Sequence, residues 1–319
     1  MKHRLVALTA ITGIALSVPA GAQTLAIGTN PQGSLAYTVG AAVARVVTEA
    51  TGMQVRVLPQ GGPDVTIPLV QTGELEFSIA SSDIAAAAHA GKGLFNGREM
   101  AGVRVVTNLM RFHSGFLVRA DSDIHSLADL RGKRLPGEYP QQRVLLGYTR
   151  TTLATAGLSL EDVTVVPVPN GLRGVEAFMA GDVDAANFSP GAGIVAQADV
   201  AVGGIRFLPV PDTPEADALI REMTPGAFKG TVIPRPNRPG VPEPMAMMTG
   251  TFVLLAGAGM PDETVARVVA ALRENRAQLV AVFPGLAEMD DDLMPVRVGT
   301  VPFHPGAETY FRAEKLLSD

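Results

Sequence analysis

Three short apolar runs, at residues 25–28, 55–58 and 75–80, each empty into small polar residues, and this recurrence constrains the fold more than any other feature. The first stops at Thr29, Asn30, Pro31, Gln32, Gly33 and Ser34, the second at Pro59, Gln60, Gly61, Gly62 and Pro63, the third at Ser81, Ser82 and Asp83. After the first loop, Ala36, Val39, Val43, Val46 and Val47 recur at helical spacing until Gly52, and an alanine-rich helix over 84–90 follows the third. Strand, polar loop and helix in repetition predict an α/β chain with an open parallel sheet. In such a sheet the loops after the strands gather at one carboxyl edge, where ligands bind.

The pattern continues. Residues 103–109 and 115–118 read as two strands making a first crossover between lobes. A strand near 130–135, a loop over 136–142, a helix over 143–156, a strand over 163–168, a helix over 172–180 and a strand over 183–187 form a second α/β unit. Residues 225–244, rich in Pro and Gly, read as irregular surface. Residues 247–256 read as a strand, and Pro261 opens a long helix with Asp262 and Glu263 in its first turn, where acids favour the helix dipole. There the chain is expected to return to the first lobe.

The chain begins with Lys2, His3 and Arg4, an apolar stretch over 5–18, and the small run Ala20, Gly21 and Ala22. This is the pattern of a secretory signal peptide cleaved near Ala22/Gln23, so a periplasmic location is expected. Its apolar core is shorter than the roughly 20 residues that cross a bilayer, and no later run reaches that length. With no cysteine, a disulfide scaffold, a thiolate metal site, a cysteine nucleophile and a lipid-anchoring cysteine are all excluded. Loss of residues 1–22 removes Lys2 and Arg4 and no acid, moving the net charge from -5 to -7, so nucleic acid is not an expected partner. Of 319 residues, 297 then remain, which suits two lobes of roughly 100–150 residues each.

A catalytic reading finds little to stand on. There is no G-x-S-x-G elbow, no H-E-x-x-H and no phosphate loop, and the five histidines are scattered. Asp182 and Asp184 alternate in a turn-rich stretch as a solvated pair. No cofactor, no metal and no enzymatic activity are expected.

The segments IGTNPQGSLAYTVGAAVA (27–44), QGGPDVTIPLVQTGELEFSIASSD (60–83) and VPFHPGAETYFRAE (301–314) resemble the TAXI family, extracytoplasmic solute receptors associated with TRAP transporters. The likeness runs over nearly the whole chain after the signal, and HPGAETYF at 304–311 is its most specific piece. The resemblance implies a two-lobe periplasmic binding fold of type II with a discontinuous first lobe, at 23–112 and 245–319, around a second lobe at 113–244. It also implies a membrane permease as partner and names no solute. Where the family pairs aromatics after the first loop, this chain has Tyr37 alone, which points to a differently shaped pocket. The same fold serves ABC importers and sensor kinases, which stand as the alternatives.

Candidate binding residues follow from position. Gly33 and Ser34, before a helix, offer backbone N–H groups and a hydroxyl for a carboxylate, or simply an N-cap, with Tyr37 one turn on. Gln60, Gly61, Ser81 and Ser82 share the sheet edge, while Asp83 would repel an anion and is expected to cap its own helix. In the second lobe Tyr139, Gln141, Gln142 and Arg143 cluster at a helix start, Arg143 offering a bidentate fork. Asn187, Phe188 and Ser189 end a strand facing the same gap. Arg111, Phe112 and His113 fit either the cleft floor or hinge packing, and His304 is expected to hold the last helix. The expected ligand is a small anionic metabolite, a dicarboxylate, a 2-oxoacid or an acidic amino acid, and a monomer is the default for a shuttle that docks.

Overall fold

The computed structural model describes residues 24–317, so the expected signal peptide at 1–22 and its junction at Gln23 lie outside the described residues. Strand β1 (Thr24–Thr29) leads into helix α1 (Leu35–Thr51), β2 (Gln54–Pro59) into α2 (Pro63–Thr72), and β3 (Phe77–Ser81) into α3 (Ser82–His89). β1 pairs in parallel with β2 on one side and β3 on the other, so the three polar loops do meet at one edge. Helix α1 begins where the Tyr37 N–H donates to Ser34 Oγ at 3.2 Å. It ends at Gly52, whose φ of 74° closes the last turn onto the Thr48 carbonyl. Val39, Val43, Val46 and Val47 are buried, the stripe that the 3.6-residue period demands.

The chain then runs through β4 (Val103–Arg119), β5 (Arg134–Glu138), α4 (Val144–Ala154), β6 (Thr164–Val168), α5 (Gly171–Ala180) and β7 (Ala185–Phe188). It continues through α6 (Gly193–Val202), β8 (Ile205–Phe207), α7 (Pro214–Met223), β9 (Phe228–Val232) and β10 (Met245–Gly257), ending with α8 (Asp262–Glu274), α9 (Arg276–Val282) and α10 (Pro305–Ala313). The main sheet has the order β2-β1-β3-β10-β4-β7, with β8 added on β4 and β9 on β10, and β5 and β6 form a separate parallel pair. β4 and β10 hold it together. Residues 103–114 of β4 pair antiparallel with β10, while residues 115–119 pair with β7 and β8.

Two expectations need correction. The strands expected at 103–109 and 115–118 are one 17-residue strand. Every residue between Val105 and Val118 is buried except Arg111, and in a strand covered on both faces a single charge resembles a break. Residues 225–244 are not all irregular, because β9 lies within them and pairs with β10 from Val232↔Met245 to Phe228↔Thr249. The sequence reading assigned nothing to α6, β8 and α7. The expected last helix opens with Pro305 at its first position, and buried His304 caps it by accepting the Gly306 N–H at Nδ1 (3.2 Å). A Cβ on Gly306 would run into the Asp262 carbonyl, which is why α10 can close on the start of α8.

Candidate functional site

A cavity of about 70 Å³ lies where the carboxyl ends of β1, β2 and β3 face the start of α4 and the end of β7. From β3 come Ile79, Ala80 and Ser81, from the loop after β1 and the starts of α1 and α2 come Asn30, Ser34, Leu35, Ala36 and Pro63, and from the opposite side Gln142, Val144, Leu145, Tyr148, Phe188 and Ser189. Phe112, His113 and Ser114 of β4 and Phe252 of β10 complete the lining. The wall is aromatic in part: Phe112 stacks on Phe252 at 4.4 Å between centroids, with Tyr148 tilted against it at 5.9 Å. Among the described residues, no lysine, arginine, aspartate or glutamate lines this space. A mostly apolar cavity with a few convergent polar groups is the usual form of a small-molecule site.

Of the predicted residues, Ser34, Ser81, Gln142 and Ser189 line this cavity. Buried Gln142 accepts the Gly171 N–H at Oε1 (3.0 Å) and its amide NH2 has no partner among the described residues, and Ser189 Oγ donates to the His113 carbonyl at 2.7 Å. Buried Asn187 stands one residue behind, its Oδ1 accepting from Ser114 Oγ at 2.6 Å and its Nδ2 without a partner among the described residues. Gly33 (φ 95°) turns the loop beside Leu172, and Tyr37 is half-buried on α1 away from the lining. Gln60 donates its N–H to the Thr29 carbonyl, and Ser82 lies on α3 outside the lining.

Three residues expected to touch ligand instead make contacts between the two sides. Arg143 is exposed and its Nε donates to Asp64 Oδ2 at 3.0 Å, so its fork is engaged by the protein's own carboxylate at the rim. Gln141 is exposed and accepts from Asn170 Nδ2 at 3.3 Å, and a Cβ on Gly61 would stand 2.7 Å from the Gln141 carbonyl oxygen. The turn that delivers them has positive φ at both Glu138 and Tyr139, where the buried Tyr139 hydroxyl anchors to the Pro136 carbonyl at 2.6 Å.

Asp83 is buried on α3, its carboxylate 3.2 Å from the Tyr148 hydroxyl, which also lies 2.8 Å from Ser81 Oγ. Burial raises the Asp83 carboxyl above the usual carboxylate range, against hydrogen bonds from Ser81, Tyr148 and the first backbone N–H groups of its own helix. Burial likewise pushes the Tyr148 phenol well above its ordinary value, with the Asp83 charge adding to the effect, the reverse of what a catalytic base needs.

His113 is buried, with Nδ1 2.9 Å from Thr249 Oγ1 and no protein partner for Nε2 among the described residues. Burial first, then the fields of Arg238, Arg111 and Arg235, lower its pKa to about 3, so the ring is neutral near pH 7. Sequence reasoning left Phe112 and His113 undecided and passed over Asn30, Ser114, Tyr148 and Phe252. Asn30 Oδ1 is a buried acceptor without a partner among the described residues.

The described residues contain no cluster of His, Cys, Asp or Glu fit to hold a metal, and no helix long and apolar enough to cross a membrane. Among solved structures, the chain is similar to one described as a periplasmic transporter, at 16% identity over 93% of this chain and 94% of that one, with a TM-score of 0.56. It is also similar to a histidine kinase sensor domain with similarity to periplasmic binding proteins (15%, 82% and 95%, TM-score 0.51). A third is the alkanesulfonate-binding protein of Xanthomonas axonopodis pv. citri bound to MOPS (17%, 93% and 94%, TM-score 0.50). At these identities the likeness speaks for the fold, which is the α/β periplasmic binding fold of type II. Residues 27–314 match the NMT1-like family from end to end of the folded chain, and the protein therefore belongs to that family.

Proposed function

We propose that this chain is a periplasmic solute-binding receptor that captures a small organic acid between two lobes and delivers it to a membrane transporter. The observation that carries this reading is the cavity itself, built half from the carboxyl edge of a parallel sheet and half from the opposing α4 and β7 side. The lobes would be residues 24–112 with 245–317, and 113–244, with β4 and β10 passing between them. Contacts such as Arg143 to Asp64 and Tyr148 to Asp83 form only when the two sides approach, so ligand and protein bonds together would favour the closed form. The resemblance of segments 27–44, 60–83 and 301–314 to TAXI receptors supports a TRAP permease as the membrane partner.

The test is a thermal-shift screen of residues 23–319, refolded to strip carried-over solute, against carboxylates, amino acids and sugars. A ligand present at 100 times its dissociation constant adds about 2.7 kcal/mol to stability, a plainly visible shift. A solute class that raises the melting temperature supports the receptor reading, and a panel without any stabilising member counts against it.

A further inference from the structure

The cavity adjoins a second, smaller recess of about 10 Å³, room for one oxygen-sized group, and the two share Leu35, Phe112, His113 and Ser189. On its far side stands Arg238, carried by the Pro-rich segment between β9 and β10. Its side chain is only 6% exposed, yet its donors are poorly met. Nη1 reaches the Ile233 carbonyl at a long 3.4 Å, and Nη2 stays 3.7 Å from Glu288 Oε1, beyond hydrogen-bond range. The same Glu288 oxygen also faces Arg235 at 3.9 Å, while Glu288 Oε2 accepts the Arg111 backbone N–H at 3.3 Å. Two arginines, Arg111 and Arg238, thus line the recess, and Arg238 and Arg235 share a single carboxylate. A buried guanidinium with unmet donors is costly, and an anionic oxygen in the recess is what would satisfy it.

We propose that Arg238, and not Arg143, recognises the solute's acid group, and that the solute is a small monocarboxylate whose apolar body lies against Phe112 and Phe252. The inference rests on the receptor reading above and names the ligand class of the same site. One oxygen of the carboxylate enters the recess between His113 and Arg238, taking a charge-assisted hydrogen bond from the guanidinium. Thr249 Oγ1 has one proton, shared between the Met247 carbonyl (3.1 Å) and His113 Nδ1. When it points to Nδ1, the neutral ring donates from Nε2 and adds a second hydrogen bond to the acid. The opposite wall offers no place for a second acid. There Ser81 and Tyr148 are tied to the buried Asp83, whose carboxylate would repel another.

The experiment is isothermal titration calorimetry of residues 23–319, refolded, with straight-chain monocarboxylates of two to eight carbons and benzoate, and with the primary amide of each. The expected result is an acid that binds at least tenfold more tightly than its amide. Arg238→Gln then weakens that acid by about 30-fold or more while leaving the amide within threefold, and Arg143→Gln leaves the acid within about threefold. Arg238→Lys keeps the charge without the fork and should lose about tenfold, which decides the matter if the glutamine variant fails to fold by circular dichroism. An acid held equally by wild type and Arg238→Gln, or an amide held as tightly as its acid, overturns the proposal. Stabilisation confined, in the thermal-shift panel, to sugars, amino acids or dicarboxylates overturns it while the receptor reading stands. Binding to no member of this titration or of the wider thermal-shift panel overturns both.

Discussion

The Tyr148 hydroxyl lies 3.2 Å from both carboxylate oxygens of Asp83, tying the α4 side of the cavity to the α3 side through a bond sealed from water. Removing that hydroxyl leaves a buried carboxyl short of a donor while keeping the ring against Phe112. Tyr148→Phe should therefore cost about 1–3 kcal/mol in urea unfolding. A cost below about 0.5 kcal/mol would mean that the contact is idle.

Asp83 also gives stability a pH dependence of uncommon sign. Its carboxyl titrates above the ordinary 3.8 because burial disfavours the charged form. The folded state thus binds the proton more tightly than the unfolded one, and the stability this contributes is lost as pH rises through the raised value. Asp83→Asn cannot ionise and keeps an acceptor for Tyr148. Its stability relative to wild type should climb with pH from about pH 4 upward and then level off, as followed by melting temperature. A gap that stays flat with pH would contradict the burial argument.

His113 works in the opposite sense. The unfolded ring takes a proton near 6.5, whereas the folded ring resists it down to about 3. Stability from this group is complete above 6.5 and falls as pH drops towards 3, by up to about 1.4 kcal/mol per pH unit. His113→Gln should flatten the acid limb of the stability curve between about pH 6 and pH 4. Denaturant melts across that range decide it, and an unchanged slope would place the responsible group elsewhere.

Gly61 meets the Gln141 backbone across the gap, where a Cβ would stand 2.7 Å from the carbonyl oxygen. Gly61→Ala should hold the two sides apart. The expected outcome is a ligand affinity weaker by about tenfold or more and a larger radius of gyration in solution scattering with ligand present, while the melting temperature of the empty protein barely moves. Wild-type affinity would show that the sides do not need this approach.

Gly306 and Gly259 make an internal comparison. A Cβ at Gly306 strikes the Asp262 backbone, whereas a Cβ at Gly259 meets nothing within 4 Å. Gly306→Ala should cost about 1–3 kcal/mol or more by loosening α10 from α8, and Gly259→Ala should be close to neutral. Equal costs in thermal melts would remove steric packing as the reason for glycine in the HPG turn.

The parallel edge was legible because strands and loops write their own punctuation. The runs at 25–28, 55–58 and 75–80 and the residues Ser34 and Ser81 came from local pattern alone, and the structure places both serines on the cavity. Gln142 and Ser189 came from the same logic in the second unit. The aromatic wall was hidden, because Phe112 and Phe252 meet only through the register of β4 with β10, which is set some 140 residues apart in the chain. Arg143 misled for a related reason. Position at a helix start was visible, but its partner Asp64, 79 residues away, was not. Arg238 sat in a stretch dismissed as irregular surface, and nothing local announces that a Pro-rich segment folds its one buried charge against the recess beside the cavity.

Strand β4 gives three consecutive residues, Phe112, His113 and Ser114, to the cavity wall at the point where its pairing passes from β10 to β7 and β8. On the receptor reading, a guest is therefore seated on the axle of the molecule and not merely between its jaws. Two irregularities in the β10 register, at Phe252/Val253 and Leu254/Leu255, lie along the same ribbon. On the receptor reading proposed above, whatever fills the site bears on the ribbon between the lobes, so occupancy and posture become a single mechanical variable for a membrane partner to read.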